Sequence, residues 1–350
     1  MKKQFAVLHS GSNELRAVAG RWTGKGDYVL EGFYRSPSRG IREGMVTDLP
    51  EAADSVSKCL NVLKERTGSS FRDVYSSVTS LSVDIVPSSG DMLLSKYGRE
   101  ITPSDIKKCV ELGSVVKLPL DREPLHNMVG EFSVDGERNI KDPVSLEAVR
   151  LGVRLNIITI NSSALRNLEK CINMAGYLSA GFVFSGLASS FRLLSREEKA
   201  RGTALVRVSE ELTEVVLFNR GVMAGAKVFP SGEMDLVRGD GTVNAEALES
   251  LLKGMTSMDR WGEMNKVIAL GDGIMRDALI EELERSFDLA VEIGSCAVKP
   301  FEHLPDDRMG YVVSLGMMDY MQQDMQKRRT ADSLLGNTFH RAVEFLDRYF

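Results

Sequence analysis

The chain has 350 residues, 43% of them hydrophobic, with 44 Lys and Arg set against 49 Asp and Glu for a formal net charge of −5. That balance excludes a general nucleic-acid binder, which needs a basic field. No continuous apolar run reaches the roughly 20 residues a membrane-crossing helix requires, while the length suffices for two or more compact subdomains with sizeable cores. Cys59, Cys109, Cys171 and Cys296 lie far apart within apolar patterns and form no CxxC pair, so they are expected to be buried thiols in a reducing cytoplasm.

The opening MKKQFAVLHSG holds an apolar run too short for a signal peptide. Residues 5–8, 14–22 and 28–35 read as three strands, separated by turns at Gly11 and at residues 24–26. A helix is expected over 49–66, because Pro50 suits a first turn and Ala52, Val56, Leu60 and Leu63 recur at three-to-four spacing. Residues 74–78 return as a strand. Between 82 and 160 the pattern changes to strand, helix and further strands, the helix over 102–116 carrying Pro103 in its first turn and Ile106, Val110 and Gly113 inward. A helix over 162–175, a strand over 181–184 and a helix over 185–194 follow.

Residues 203–218 and 222–229 read as a second strand hairpin. Only the stretch 230–266 separates it from the strand 267–270. Within that stretch one helix is expected, over 244–255, with Ala245, Leu248, Leu251, Leu252 and Met255 on its apolar face and Trp261 against it. Helices over 274–287 and 311–325 complete the body. A polar stretch with Lys327, Arg328 and Arg329 then leads to LLGNTFHRAVEFLDRYF. There Phe339, Ala342, Val343, Leu346, Tyr349 and Phe350 share one helical face, and His340, Arg341, Glu344, Asp347 and Arg348 take the other. Such a helix either docks on its own body or sinks its apolar face into a lipid boundary while basic residues attract anionic headgroups.

Four segments in order carry a resemblance: SRGIREGMVTDL at 38–49, DPVSLEAVRLGVRLNIIT at 142–159, NLEKCINMAGYLSAGFVFSGLASS at 167–190 with Glu197, Glu198 and Lys199 after it, and GTALVRVSEELTEVVLF at 202–218. Together they make the chain similar to the bacterial cell-division protein family FtsA, over residues 5–325. The resemblance implies an α/β, actin-like (ribonuclease H-like) fold of two halves. The first half takes residues 1–81 and 161–201; 82–160 form the inserted subdomain shared with the pilus-assembly protein PilM. The second half takes 202–325, with 230–266 a short remnant of the upper subdomain called 2B. Residues 326–333 become a linker and 334–350 an amphipathic helix.

In ATP-binding relatives the phosphate hairpins carry Asp and glycines, so that a carboxylate can hold hydrated magnesium and backbone amides can approach phosphate. Here His9 stands at the first Asp place, with Gly11 and Ser12 keeping the turn and Glu14 near a position often basic. Arg207 stands at the second Asp place, and Ser209, Glu210 and Glu211 replace the glycines. Gly271 and Gly273 sit where a glycine pair would approach the adenosine, and a plain tight turn accounts for them equally. Two carboxylates facing a triphosphate repel it, each unit-charge pair costing on the order of 4 kcal/mol at about 4 Å. The expectation is a pseudo-ATPase with no cofactor, neither ATP nor magnesium, and an open face where the nucleotide cleft would close.

No other chemistry is legible. His9, His126, His303 and His340 have no metal-ligand spacing, and the acid pairs Glu210/Glu211, Glu281/Glu282 and Asp306/Asp307 read as solvated charge. The resemblance therefore implies a non-catalytic adaptor at the inner membrane face. Its partners would be cell-division or cytoskeletal proteins, the tubulin-like FtsZ among them although its usual docking subdomain is reduced, together with anionic membrane through Lys327, Arg328, Arg329, Phe339, Val343, Leu346 and Phe350, and further copies of the chain. The alternatives are a PilM-like scaffold of a type IV pilus or secretion platform, and a filament former with residual ATP binding.

Overall fold

The structure, a computed structural model, describes residues 3–23, 26–271, 277–295 and 309–335, the side chains of 277–279 and 324–335 excepted. Two five-stranded sheets repeat one plan. In the first, strand Gln4–Ser10 pairs antiparallel with Glu14–Trp22, which pairs antiparallel with Tyr28–Pro37. On its other side Gln4–Ser10 runs parallel to Asp73–Val78, followed by Leu178–Phe184. The second sheet sets Thr203–Val208 in the same central place, with Thr213–Asn219 and Val222–Phe229 antiparallel on one side and Lys266–Gly271 and Ala290–Ile293 parallel on the other. This duplicated order is the two-half architecture expected from the sequence.

Helix Leu49–Thr67 begins where Asp48 accepts from the Glu51 amide at 2.9 Å and Pro50 occupies the first turn, and it stops at Gly68 in the left-handed region. Its Val56, Leu60 and Leu63 are buried against the first sheet beside Phe71 and Leu168. Each such leucine contributes roughly 1.5–3 kcal/mol on leaving water. The opposite face of that sheet is covered by the helix Val312–Leu335, whose Leu315, Met317 and Met318 meet Phe5, Val7 and Val18. That helix also lies on Ser185–Leu193 so closely that a Cβ at Gly316 would stand 2.0 Å from the Ala188 carbonyl oxygen; only glycine permits the contact.

The insertion is an antiparallel sheet ordered Glu137–Ile140, Arg122–Val134, Arg150–Asn161, Asp84–Leu93, with helix Pro103–Ser114 on one face. Thr102 and Asp105 form a reciprocal cap at that helix's start. In the second half, residues 230–266 contain the helices Glu233–Leu236 and Ala245–Thr256, the turn Trp261–Glu263 and one isolated bridge between Val237 and Val243. Trp261 is buried against Phe287 with ring centres 4.8 Å apart.

One expectation needs correction. Residues 326–333, assigned to a linker, continue the Val312–Leu335 helix without a break. Neither Gly nor Pro occurs from Met317 to Leu335, and Gly336 is the first residue able to stop the run. A polar run free of Gly and Pro is as compatible with a helix as with a linker.

Candidate functional site

The two hairpin turns that would embrace nucleotide phosphates touch each other. In the first, the Gly11 amide donates to the Glu14 carbonyl at 2.9 Å, leaving Ser12 and Asn13 at the tip. In the second, Ser209 closes the turn by bonding Leu212 through both its amide and its hydroxyl, each at 2.8 Å. Glu210 and Glu211 are thereby pushed outward. Behind them the Glu233 and Met234 amides donate to the Ser209 and Glu210 carbonyls at 2.9 and 3.0 Å, and a Cβ at Gly232 would strike the turn at 2.4 Å.

The Glu211 carboxylate accepts from the Ser12 hydroxyl and, at 2.9 Å, from the Glu43 amide, with the Arg42 guanidinium 3.6 Å away. Glu210 accepts from the Asn13 side-chain amide. Burial pushes the Glu211 carboxyl up, but the Ser12 hydroxyl, the Glu43 amide and Arg42 together outweigh it and hold the group below its ordinary value. These contacts correct one expectation: the acid pair is not merely solvated charge. The donors that an incoming phosphate would use are taken by carboxylates of the same chain.

Beneath the turns lies a buried polar chain. Arg207 and Glu214 are directly opposed in the second hairpin, and Arg207 Nη1 donates to Glu214 Oε2 at 2.9 Å. The other carboxylate oxygen of Glu214 accepts from Thr79 Oγ1 at 2.9 Å and from the Ser185 hydroxyl. Arg207 Nη2 stands 3.0 Å from His9 Nε2, and His9 Nδ1 stands 2.7 Å from Ser77 Oγ. Guanidinium nitrogens only donate, so His9 Nε2 accepts and Nδ1 carries the proton toward Ser77. The imidazole cannot then take a proton from the Ser77 hydroxyl, which is itself buried, so the Ser–His contact is not an activated nucleophile.

At the place of a metal-binding Asp there is thus a cation, already neutralised by Glu214. All six side chains are buried, and they join elements of both halves. Arg207 was singled out from the sequence; Glu214 was not. Its signal was an acid in the apolar run VVLF, opposite an Arg across a short turn, where oppositely charged cross-strand partners meet.

The remaining predicted positions fall elsewhere. Glu198 caps helix Arg196–Arg201 through Ser195 and bonds Lys266 at 3.2 Å. Lys199 lies over the rings of Phe191 and Phe218, 4.4 and 5.2 Å from their centres, and burial lowers its ammonium to about 8. Gly271 ends the strand Lys266–Gly271 opposite Val208. Gly273, and Phe339, Val343, Leu346 and Phe350, lie outside the described residues; Lys327, Arg328 and Arg329 lie on the last helix with their side chains outside the description. Burial pushes the Cys59 and Cys171 thiols up to about 11 and Cys109 to about 12, which leaves them unreactive. Among the described residues no group of His, Cys, Asp or Glu could hold a metal ion, and no helix is long and apolar enough to cross a membrane.

Duplicated sheets of this order, with two opposed turns at the ends of their central strands, define an actin-like fold, here with the two turns bonded to each other. Residues 82–159 match the SHS2 domain inserted in FtsA. Cell division protein FtsA of Pseudomonas aeruginosa is 24% identical over 297 residues, covering 82% of this chain and 71% of that one. FtsA of Borreliella burgdorferi is 30% identical over 225 residues, 64% of this chain and 54% of that protein; FtsA of Bacillus subtilis is 26% identical over 234 residues, 67% and 53%. Over these residues the chain is similar to FtsA, and it spans about half the length of the latter two relatives. In fold it is similar to a PilM-PilN type IV pilus biogenesis complex chain, with a TM-score of 0.63, 14% identity, and coverage of 92% of this chain and 99% of that one.

Proposed function

We propose that the chain is a non-catalytic, FtsA-like adaptor that works on the cytoplasmic face of the membrane and tethers cell-division or cytoskeletal proteins there without using nucleotide. The observation that carries this reading is the seat of Glu211: its carboxylate takes the Ser12 hydroxyl and the Glu43 amide, the donors a phosphate would need. The Arg207–Glu214 pair supports it, since a neutralised guanidinium stands where a magnesium ligand is required. With those donors used and no metal ligand in place, the turns hold the two halves together as structure.

The test has two arms. Calorimetry with magnesium and ATP is expected to give no binding heat, and micromolar affinity, worth about −8 kcal/mol, would overturn the non-catalytic reading. Recovery of the intact chain from native membranes should bring division or cytoskeletal proteins with it, and loss of that association on truncation after Ser333 is expected. Association that survives the truncation and contains only pilus or secretion components would favour the PilM-like alternative.

A further inference from the structure

Away from the phosphate turns, a cleft of about 850 Å³ opens between the insertion and the second half. One wall is the face of the insertion sheet turned away from helix Pro103–Ser114. The other is the strand Val222–Phe229, the edge of the second sheet among the described residues, whose outer backbone groups no described strand takes, the Met223 carbonyl being held by Asn156. Two bridges span it: the Asn156 side chain donates to the Met223 carbonyl at 2.7 Å, and Arg220 donates to Asn139 at 3.2 Å.

The lining is cationic in a chain that is acidic overall. Arg138, Lys141, Arg154, Arg220, Lys227 and Arg260 line it, all exposed, against the acids Asp84, Glu131 and Asp259, a local excess of three positive charges where the whole chain carries −5. Arg154 is paired with Glu131 at 3.3 Å and Arg260 with Glu263 at 3.5 Å, exposed pairs that water screens heavily. The six cations come from separate elements: the Glu137–Ile140 edge, the residue after it, the insertion sheet's face, the hairpin turn, the edge strand and the loop before Trp261. They border an elongated space and do not converge on one point, as they would around a single small anion. Three acids among the six cations, in a chain of net charge −5, leave too weak a basic field for a polynucleotide.

From this geometry we infer that the cleft is a docking groove for an extended acidic peptide segment of a partner protein, which adds a strand to the Val222–Phe229 edge and sets its carboxylates against the six cations. Backbone pairing along the edge provides affinity, and the charge provides selection. This goes beyond the adaptor reading and does not depend on the state of the nucleotide cleft.

The probe is a fluorescein-labelled peptide of roughly eight residues, an ordinary strand length, alternating Glu and Val, with a Lys-Val peptide as control. Anisotropy with the intact chain is expected to show saturable binding of the acidic peptide, weakened by salt, and none of the basic one. Lys227→Glu with Arg260→Glu should weaken it by about tenfold or more. Methylating the peptide's backbone nitrogens should do likewise, and hydrogen exchange should show protection of residues 222–229 on binding. No saturable binding, equal binding of both peptides, or an affinity unmoved by the charge reversals in variants that retain the native circular dichroism would overturn the proposal. Complete displacement by inorganic phosphate, with the N-methylated peptide binding as well as its parent, would overturn it in favour of a small-anion site. Magnesium-ATP is included as a competitor: calorimetric ATP binding with peptide binding intact would defeat the adaptor reading alone.

Discussion

Arg207 and Glu214 face each other across the second hairpin with their charged atoms 2.9 Å apart, and both side chains are shut off from water. Taking two charges out of water is costly, and their attraction repays this only with the further hydrogen bonds that Thr79, Ser185 and His9 supply. Removing one partner leaves the other charged and uncompensated. Arg207→Met and Glu214→Leu are each expected to lower the unfolding free energy by about 3–5 kcal/mol, and the double variant by less than the sum of the two. Urea unfolding measures this; single losses below about 1 kcal/mol would show that neither charge is left uncompensated when its partner is removed.

Thermal unfolding gives an independent view of nucleotide. A ligand present at about 100 times its Kd adds about 2.7 kcal/mol to stability. Millimolar magnesium-ATP is expected to leave the midpoint of the native chain where it was. If Glu211 blocks the phosphate position as described, Glu210→Gly with Glu211→Gly frees the Ser12 and Glu43 donors, so any upward shift should appear only in that variant.

The turn-to-turn contact should weaken in acid. The Glu211 carboxyl is held below its ordinary 4.5 in the folded chain, so the unfolded chain takes up the proton first as pH falls. The contribution is complete above about 4.5 and is lost as pH drops below it. The stability gap between the native chain and Glu211→Gln, read from urea midpoints across pH, is expected to narrow on the acid side; a gap constant with pH would mean the carboxylate's charge is not what the contact uses.

His126 supplies a second pH dependence in a different window. Its Nε2 accepts from the Phe184 amide at 3.1 Å, and burial lowers its pKa from 6.5 to about 4. The unfolded chain binds this proton between those values and the folded chain does not, so stability should fall as pH drops from about 6.5 toward 4, by on the order of 3 kcal/mol. In His126→Gln, whose amide oxygen can still accept, the slope in that window should flatten.

For the last segment, the proposed membrane contact is reversible. A few apolar side chains at roughly 1.5–3 kcal/mol each are set against the ordering of the helix. Anionic liposomes should pellet the intact chain and leave behind both a chain ending at Ser333 and Leu346→Glu. Equal pelleting of all three, or of none, would assign the helix to the protein body or to a protein partner.

Much of the fold was legible because local sterics and burial leave periodic marks. The strand Glu14–Trp22 is bracketed by glycine-containing turns, Pro50 and Pro103 mark first turns, and Leu248, Leu251 and Met255 repeat at helical spacing. The loss of phosphate chemistry was also visible residue by residue, at His9, Arg207, Glu210 and Glu211. What those residues do instead was not. Ser12 and Glu211 are 199 positions apart, and Arg207 and His9 198, so no local pattern couples them. Only the packing of one half against the other chooses which carboxylate neutralises which donor. The same holds for the basic cleft, whose cations are scattered from Arg138 to Arg260 and share a space only once the insertion lies beside the Val222–Phe229 edge. Sequence determined the elements and the missing nucleotide ligands, since both rest on residue type and near neighbours. Tertiary structure decided what His9, Ser12 and Glu211 bond to, because a desolvated polar group must be paired by whatever the fold brings within about 3 Å.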